Sequence, residues 1–141
     1  MANAALIITD GKPGHENQSL ALCDALGLEP RRLPVRYPRF GKALSYAFDR
    51  LGVCWPGLFR VDATPPEPAA VRLLVGAGST TYYPLKCLAR RFARPAVAVL
   101  APRGYRLVDY DCIVVPEYDR PPRSDRVVRV PVNLCRLDPA F

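Results

Sequence analysis

The sequence has no apolar run that approaches the roughly 20 residues of a membrane-spanning helix, although half of its 141 residues are hydrophobic. Its start also lacks the basic segment and the long apolar stretch of a secretion signal, and the short apolar run there is more typical of a first strand. These absences predict a cytoplasmic protein. A chain of this length and composition can bury one sizeable core, so we expect a single domain over residues 1–141.

Cysteine and histidine are too sparse for a disulfide framework or a metal centre. The five cysteines are odd in number, far apart and never in a CxxC pair, which argues against disulfides and zinc. Cys23 and Cys87 fall in helical patterns and Cys112 in a strand pattern, so buried, reduced thiols are expected. A cysteine nucleophile would need a base, and the sole histidine, His15, has no cysteine near it in the sequence.

Acidic residues are outnumbered, and the net charge of +7 comes mostly from arginine. A basic surface favours anionic partners such as phosphates, nucleoside diphosphates, acidic lipid headgroups or nucleic acid. A basic surface without any partner, from an arginine-preferring genome, explains the charge equally well. The sequence contains no RNP signature, basic helix or zinc-finger spacing, so nucleic acid is not an expected partner.

Apolar runs alternate along the chain with segments of helical spacing. The runs at residues 4–9, 71–75, 96–100 and 112–116 are typical of parallel strands buried on both faces. Weaker strand candidates lie at 31–37, where Pro34 favours an edge or irregular strand, and at 127–132. This alternation predicts a Rossmann-like α/β domain of three layers, with a mainly parallel sheet of about five strands and helices on both faces.

Three segments carry apolar residues three and four positions apart, as helices packed on a sheet do. Their stripes are Leu20, Cys23 and Leu26; Phe40, Leu44, Phe48 and Leu51; and Leu85, Leu88 and Phe92. Gly27 is placed to end the first helix. The prolines in residues 53–70 predict an irregular connection.

The loop of residues 10–19 follows the first strand, where open α/β sheets bind ligands. Gly11 and Gly14 allow a tight turn and a close approach of backbone to ligand, and the next helix presents free amides to an anion. Histidine is the side-chain type that can exchange a proton near neutral pH, so His15 is the candidate base. Further candidate ligand-binding residues here are Asp10, Lys12, Asn17 and Gln18. Alternatively, the loop is a plain turn in which Glu16 or Asn17 only starts the helix.

Two further loops follow buried strands. GAGSTTYY, residues 76–83, offers Gly76, Gly78, Ser79 and Thr80 as ligand-binding candidates, but it completes neither GxGxxG nor a P-loop, so a simple turn remains open. PEYD, residues 116–119, offers Glu117 and Asp119 as catalytic candidates that could orient hydroxyls or act as acid and base. Acidic residues on a turn are also often only solvated.

Aromatic and basic residues alternate between Tyr37 and Arg60. Such a surface could rest on an anionic membrane. The more ordinary interpretation, which we favour, is a helix with Phe40, Leu44 and Phe48 facing the core.

The motifs TDGKPGHENQSLALCDALG, LLVGAGSTT and DYDCIVVPEYD resemble successive motifs of the mitochondrial fission ELM-type family. These bacterial and plant proteins are described as GT-B-like glycosyltransferases and were formerly predicted to be nucleoside-diphosphate-sugar epimerases. The resemblance covers most of the chain, and its first motif is the most specific. Glu117 and Asp119 match a PEHD-like motif, in which Tyr118 stands for the usual histidine. An epimerase is disfavoured, because YxxxK and a full dinucleotide fingerprint are missing.

The resemblance implies two Rossmann-like halves around a cleft, of which this chain would be the amino-terminal, acceptor-side half. Asp10, Gly11, Gly14, His15 and Gln18 would face the cleft, with Gly76, Gly78 and Ser79 beside them. The expected partners are a nucleotide-sugar and a phosphorylated or hydroxyl-bearing acceptor, with no cofactor and no metal. Turnover would need the second half. The alternative is a non-catalytic module that docks on membrane or on a protein; homo-oligomers are left open.

Overall fold

The computed structural model describes residues 3–117 and 125–130, and strands and helices alternate in them as the sequence predicts. In chain order the elements are β1 (Ala4–Thr9), α1 (Pro13–Leu26), β2 (Glu29–Arg36), α2 (Gly41–Arg50), β3 (Arg60–Val61), β4 (Val71–Ala77), α3 (Tyr82–Phe92), β5 (Ala96–Val99), β6 (Cys112–Pro116) and β7 (Val127–Val130). Gly27 ends α1 in the left-handed conformation, with φ 69°, as predicted.

The strands form one sheet in the order β3-β2-β1-β4-β5-β6-β7, with every described pair parallel except β2 and β3. This confirms the Rossmann-like α/β fold. The expected count of about five strands was too low, because the described residues supply seven. β3 is only two residues long and lies in the proline-rich connection. Because β3 pairs with β2, β2 is not the edge strand that Pro34 was expected to mark. The Pro34 carbonyl accepts a hydrogen bond from the Asp62 amide at 2.9 Å.

Helices lie on both faces of the sheet. The alternate side chains of β1 show this, because they enter two separate cores. Leu6 and Ile8 lie in one core together with the buried face of α3. Ala5 and Ile7 lie in the other, where Leu20 and Cys23 of α1 pack. The fully buried β1 is therefore the centre of the three layers, as its unbroken apolar sequence indicates.

The helix α2 buries a different face from the one that the sequence predicts, rotated by about 100°. Its buried positions are Gly41, Ser45 and Asp49, whereas Phe40 is 69% exposed and Leu44 47%. Phe48 only packs at the margin of the core. A polar face can be buried here because its groups are satisfied: the Ser45 hydroxyl hydrogen-bonds the Tyr105 hydroxyl at 2.8 Å, and Asp49 is paired, as described next.

An ion cluster inside the protein joins α2 to α3. Lys86 of α3 is in ionic contact with Asp49, and both side chains are fully buried. Its ammonium also donates to Asp109 Oδ2 at 2.9 Å. Burial alone would raise the pKa of Asp109, but the hydrogen bond and charge of Lys86, with help from Arg106 and Arg90, hold that pKa below its usual value.

Leu26 and Leu51 were also expected on buried stripes, and the structure contradicts both. Leu26 is 51% exposed and Leu51 74% exposed; Leu26 is the last residue of α1, and Leu51 follows the last residue of α2. The third stripe is confirmed: Leu85, Leu88 and Phe92 are all buried in α3.

Candidate functional site

The candidate site lies where the strand order reverses. From β1 the chain first builds outward through β2 and then returns to add β4 on the other side of β1. Ile8 pairs with Gly76, so the loops that follow β1 and β4 start side by side. They lead to α1 and α3 on opposite faces, and such a divergence opens a crevice at the carboxyl ends of the strands.

His15 is held in this crevice by Asp10. Its Nδ1 lies 3.0 Å from Asp10 Oδ2, and the Asp10 side chain is only 6% exposed whereas that of His15 is 29% exposed. An ionised carboxylate only accepts hydrogen bonds, so Nδ1 must be the donor. In the neutral imidazole this leaves Nε2 as the acceptor, which is the form that can take a proton from a ligand. The other Asp10 oxygen accepts the Lys12 amide at 3.0 Å, which fixes the carboxylate.

Gly78 lies directly against the His15 ring. A Cβ at Gly78 would be 2.3 Å from His15 Nδ1, and the residue has φ 99°, a conformation that side-chain-bearing residues rarely adopt. The first and second predicted loops are thus brought into contact. Gly76 differs, because the space left by its missing side chain is occupied by Thr81 Oγ1 at 2.8 Å from the ideal Cβ.

Two helices start at the crevice without a side-chain cap. Neither α1, with Lys12 at its N-cap, nor α3, with Thr81, has a capping side-chain hydrogen bond within the described residues. The interpretation of Asn17 or Glu16 as a mere helix cap is therefore not supported, and Glu16 instead pairs with Arg32 at 2.9 Å. Uncapped amides and the positive ends of both helix dipoles favour an anion at this position.

Lys42 belongs to the site and was missed by sequence reasoning. It stands near the start of α2, and its ammonium donates to Ser79 Oγ at 2.6 Å. The sequence placed it only in the basic aromatic stretch, because nothing local reveals a contact between residues so far apart in the chain. Its charge lies beside the uncapped start of α3.

A cavity of about 410 Å³ extends the crevice along the sheet. It is lined by Gly78, Ser79, Tyr82, Leu100, Ala101 and Arg103. The Tyr82 hydroxyl donates to the Val99 carbonyl at 2.7 Å, and burial raises the pKa of this tyrosine to about 12, so it is a structural donor and stays protonated. Arg103 supplies a further cation at the wall of this cavity.

The remaining predicted residues divide by position. Gly11, Lys12 and Gly14 are exposed at the mouth of the crevice, and Asn17, Gln18 and Thr80 are half-buried. Glu117 is exposed just beyond β6. It follows the carboxyl end of its strand, as His15 does, but β6 lies three strands from β1 in the sheet. At about 4.8 Å per strand this separation is roughly 14 Å, so Glu117 could reach a large ligand but not His15. Asp119 lies outside the described residues.

The fold and the site define a Rossmann-like α/β protein with an anion-favouring crevice and a carboxylate-held histidine at its switch point. Residues 13–141 match the model of the family described as Mitochondrial fission ELM1, so the chain belongs to that family, as its motifs had indicated. No curated protein and no solved structure matches the chain. None of the helices in residues 3–117 and 125–130 is long and apolar enough to cross a membrane.

Proposed function

We propose that this chain is the acceptor-side half of a glycosyltransferase-like protein of the GT-B type, and that the crevice around His15 binds a phosphorylated or hydroxyl-bearing acceptor. The observation that carries the proposal is the contact of His15 with Asp10 at 3.0 Å, at the mouth of two uncapped helices. A base and an anion-favouring surface are thereby side by side. A phosphorylated alcohol would use both.

In the proposed reaction, His15 Nε2 takes the proton of the acceptor hydroxyl while the oxygen attacks the anomeric carbon of a nucleotide-sugar. The bond from that carbon to the nucleoside diphosphate breaks, and the diphosphate leaves. Asp10 keeps the imidazole oriented and stabilises the imidazolium that forms. Lys42 and the helix amides hold the acceptor phosphate. Glu117 and Asp119 remain candidates for orienting sugar hydroxyls at the far end of the cleft.

The donor would be held by a second Rossmann-like half, as the resemblance implies. This chain alone is therefore expected to bind the acceptor without transferring a sugar. The proposal is one of binding and orientation for the residues present, and its test is a binding measurement.

Replacing Lys42 by alanine is expected to weaken binding of a short polyprenyl-phosphate analogue, geranyl phosphate, by about tenfold. A hydrogen bond to a charged group contributes roughly 1.5–3 kcal/mol, part of which the helix amides retain. His15→Ala should weaken binding less, because geranyl phosphate has no alcohol hydroxyl for the imidazole to contact. Titration calorimetry measures the affinity of the unaltered protein and of both variants, first for geranyl phosphate and separately for UDP-glucose.

The matched control is Arg72→Gln. Arg72 is exposed and lies at the opposite, amino-terminal end of β4, so this change removes the same charge away from the crevice. Equal losses in Lys42→Ala and Arg72→Gln would reduce the effect to net charge. If the unaltered protein bound neither compound, the proposal would be wrong.

A second candidate function is docking on an anionic membrane, and the orientation of α2 favours it. Phe40, Leu44 and Trp55 are 69%, 47% and 52% exposed, and Arg39 lies next to Phe40 with its guanidinium 5.0 Å from the ring centroid. Exposed apolar side chains next to basic ones are what peripheral membrane surfaces carry. The sequence alone favoured a buried stripe at these positions.

Phe40→Asp is expected to abolish most co-sedimentation with vesicles of phosphatidylcholine and phosphatidylserine, and high salt should reduce binding of the unaltered protein. Val128→Asp is the control, since Val128 is 47% exposed but lies on β7 at the far edge of the sheet. No sedimentation of the unaltered protein at low salt, or equal loss in both variants, would exclude this function.

A further inference from the structure

A second cavity, separate from the crevice, lies between α3 and the segment that precedes β3. It has a volume of about 570 Å³, and its lining includes Cys54, Phe59, Val61, Cys87, Leu88 and Arg90. None of its lining residues borders the cavity beside Ser79. Its wall is mostly apolar, but it carries two thiols and two guanidinium groups, those of Arg90 and Arg91.

Both thiols line this cavity. Cys87 is on the buried side of α3, and Cys54 is half-buried in the segment that precedes β3. Arg90, one turn beyond Cys87, approaches the Cys54 sulfur to 3.6 Å with Nη1. A cation and a thiol donor next to a sulfur are the surroundings that favour thiolate.

The position of Cys54 is fixed by its neighbours in the chain. The Tyr83 hydroxyl donates to the Val53 carbonyl at 2.8 Å and accepts the Trp55 amide at 3.0 Å. Both backbone groups that flank Cys54 are therefore attached to a fully buried side chain of α3. The sulfur is held near Cys87 and Arg90 instead of moving with a free loop.

The electrostatics of the pair agree with this geometry. The pKa of Cys54 is lowered to about 7, mainly by the hydrogen bond from Cys87. Burial raises this pKa, the charges of Arg90 and Lys86 lower it further, and the charge of Asp109 raises it. The same hydrogen bond and burial raise the pKa of Cys87. Cys54 is therefore the sulfur of the pair that ionises more readily.

We propose that Cys54 and Cys87 form a peroxide-reactive pair, in which Cys54 is the attacking sulfur and Cys87 resolves the product into a disulfide. The sequence predicted inert thiols because His15 was the only base in view. No base is needed here, because Arg90 and the neighbouring thiol stabilise the Cys54 thiolate directly.

The chemistry needs hydrogen peroxide as its oxidant and two steps. The Cys54 thiolate attacks one peroxide oxygen, the O–O bond breaks, and hydroxide leaves with a proton from solvent as water, which gives the sulfenic acid. The Cys87 sulfur then attacks the sulfenic sulfur, its proton and the sulfenic hydroxyl leave as a second water, and the S–S bond forms. The two thiols are oxidised and the peroxide is reduced.

The test treats the whole chain with hydrogen peroxide and identifies linked peptides by mass spectrometry. We expect a Cys54–Cys87 disulfide and the loss of two hydrogen atoms in mass. In Cys87→Ser, a dimedone adduct should accumulate on Cys54, and in Cys54→Ser neither product should form. Cys112 is the internal control, since it is also half-buried but burial raises its pKa.

The rate of Cys54 alkylation by iodoacetamide should rise as pH passes through about 7, because only the thiolate reacts. Arg90→Gln should slow it, whereas Arg91→Gln, at the next position of the same cavity wall, should not; circular dichroism checks that both variants fold. The proposal is overturned if Cys54 reacts no faster than Cys112, or if peroxide yields no Cys54–Cys87 link.

Discussion

Replacing Lys86 by alanine is expected to lower the free energy of unfolding by about 3–5 kcal/mol, because the change leaves a buried carboxylate without its cation. Asp49 and Lys86 are both fully buried, so water cannot replace the lost ammonium. Urea unfolding followed by circular dichroism measures the effect, with the slope compared to show that the folded state is otherwise intact.

The control is an ion pair of the same kind on the surface. Arg36 and Asp62 lie 3.1 Å apart with side chains 64% and 41% exposed, and such pairs contribute about 1 kcal/mol at most. Arg36→Ala should therefore be nearly neutral. If Lys86→Ala cost no more than Arg36→Ala, the buried cluster would not be holding α2 on α3.

Replacing Gly78 by alanine is expected to weaken geranyl phosphate binding by tenfold or more. The new Cβ would lie 2.3 Å from His15 Nδ1, so both the ring and the turn that holds the glycine must shift. A shifted turn carries Ser79, to which Lys42 donates at 2.6 Å, away from its position, so the loss should exceed that of His15→Ala. A tenfold loss corresponds to about 1.4 kcal/mol. Calorimetry measures the affinity, and the imidazole proton resonances of His15 report the displacement of the ring.

Gly27→Ala separates backbone strain from the clash. Gly27 also has positive φ, at 69°, but no atom within 4 Å of the ideal Cβ, and it lies at the opposite end of α1 from His15. Both variants should lose roughly 1–2 kcal/mol of stability from the left-handed backbone. Only Gly78→Ala should lose affinity; a similar loss in Gly27→Ala would show that strain, and not the ring, is responsible.

The layers of the fold could be predicted because its strands are buried on both faces. β1 and β4 carry nearly unbroken apolar runs, and such runs leave few interpretations besides a parallel sheet. α2 could not be oriented from its sequence. Its apolar stripe indicates a buried face, but Asp49 meets Lys86 and Ser45 meets Tyr105, and these partners lie far along the chain.

The loops of the candidate site could be predicted from the sequence, but the residues that other elements bring to the functional sites could not. Glycines after buried strands indicated both loops, and the only histidine of the sequence drew attention to the first. Lys42 and Cys54 were missed for one physical reason: each acquires its role from a neighbour on another element, Ser79 and Arg90 respectively. Spacing along the chain carries no information about such contacts.

The burial of a polar face by α2 has a thermodynamic consequence. Its apolar residues Phe40 and Leu44 are already in water, while its contacts with the body of the protein are largely ionic or hydrogen-bonded, with Tyr46 and Phe48 adding half-buried rings. Lifting α2 alone would hydrate little new hydrocarbon and so change the heat capacity only slightly. Such a local opening is governed by ion pairing and would carry Lys42 away from Ser79 while the sheet stays folded.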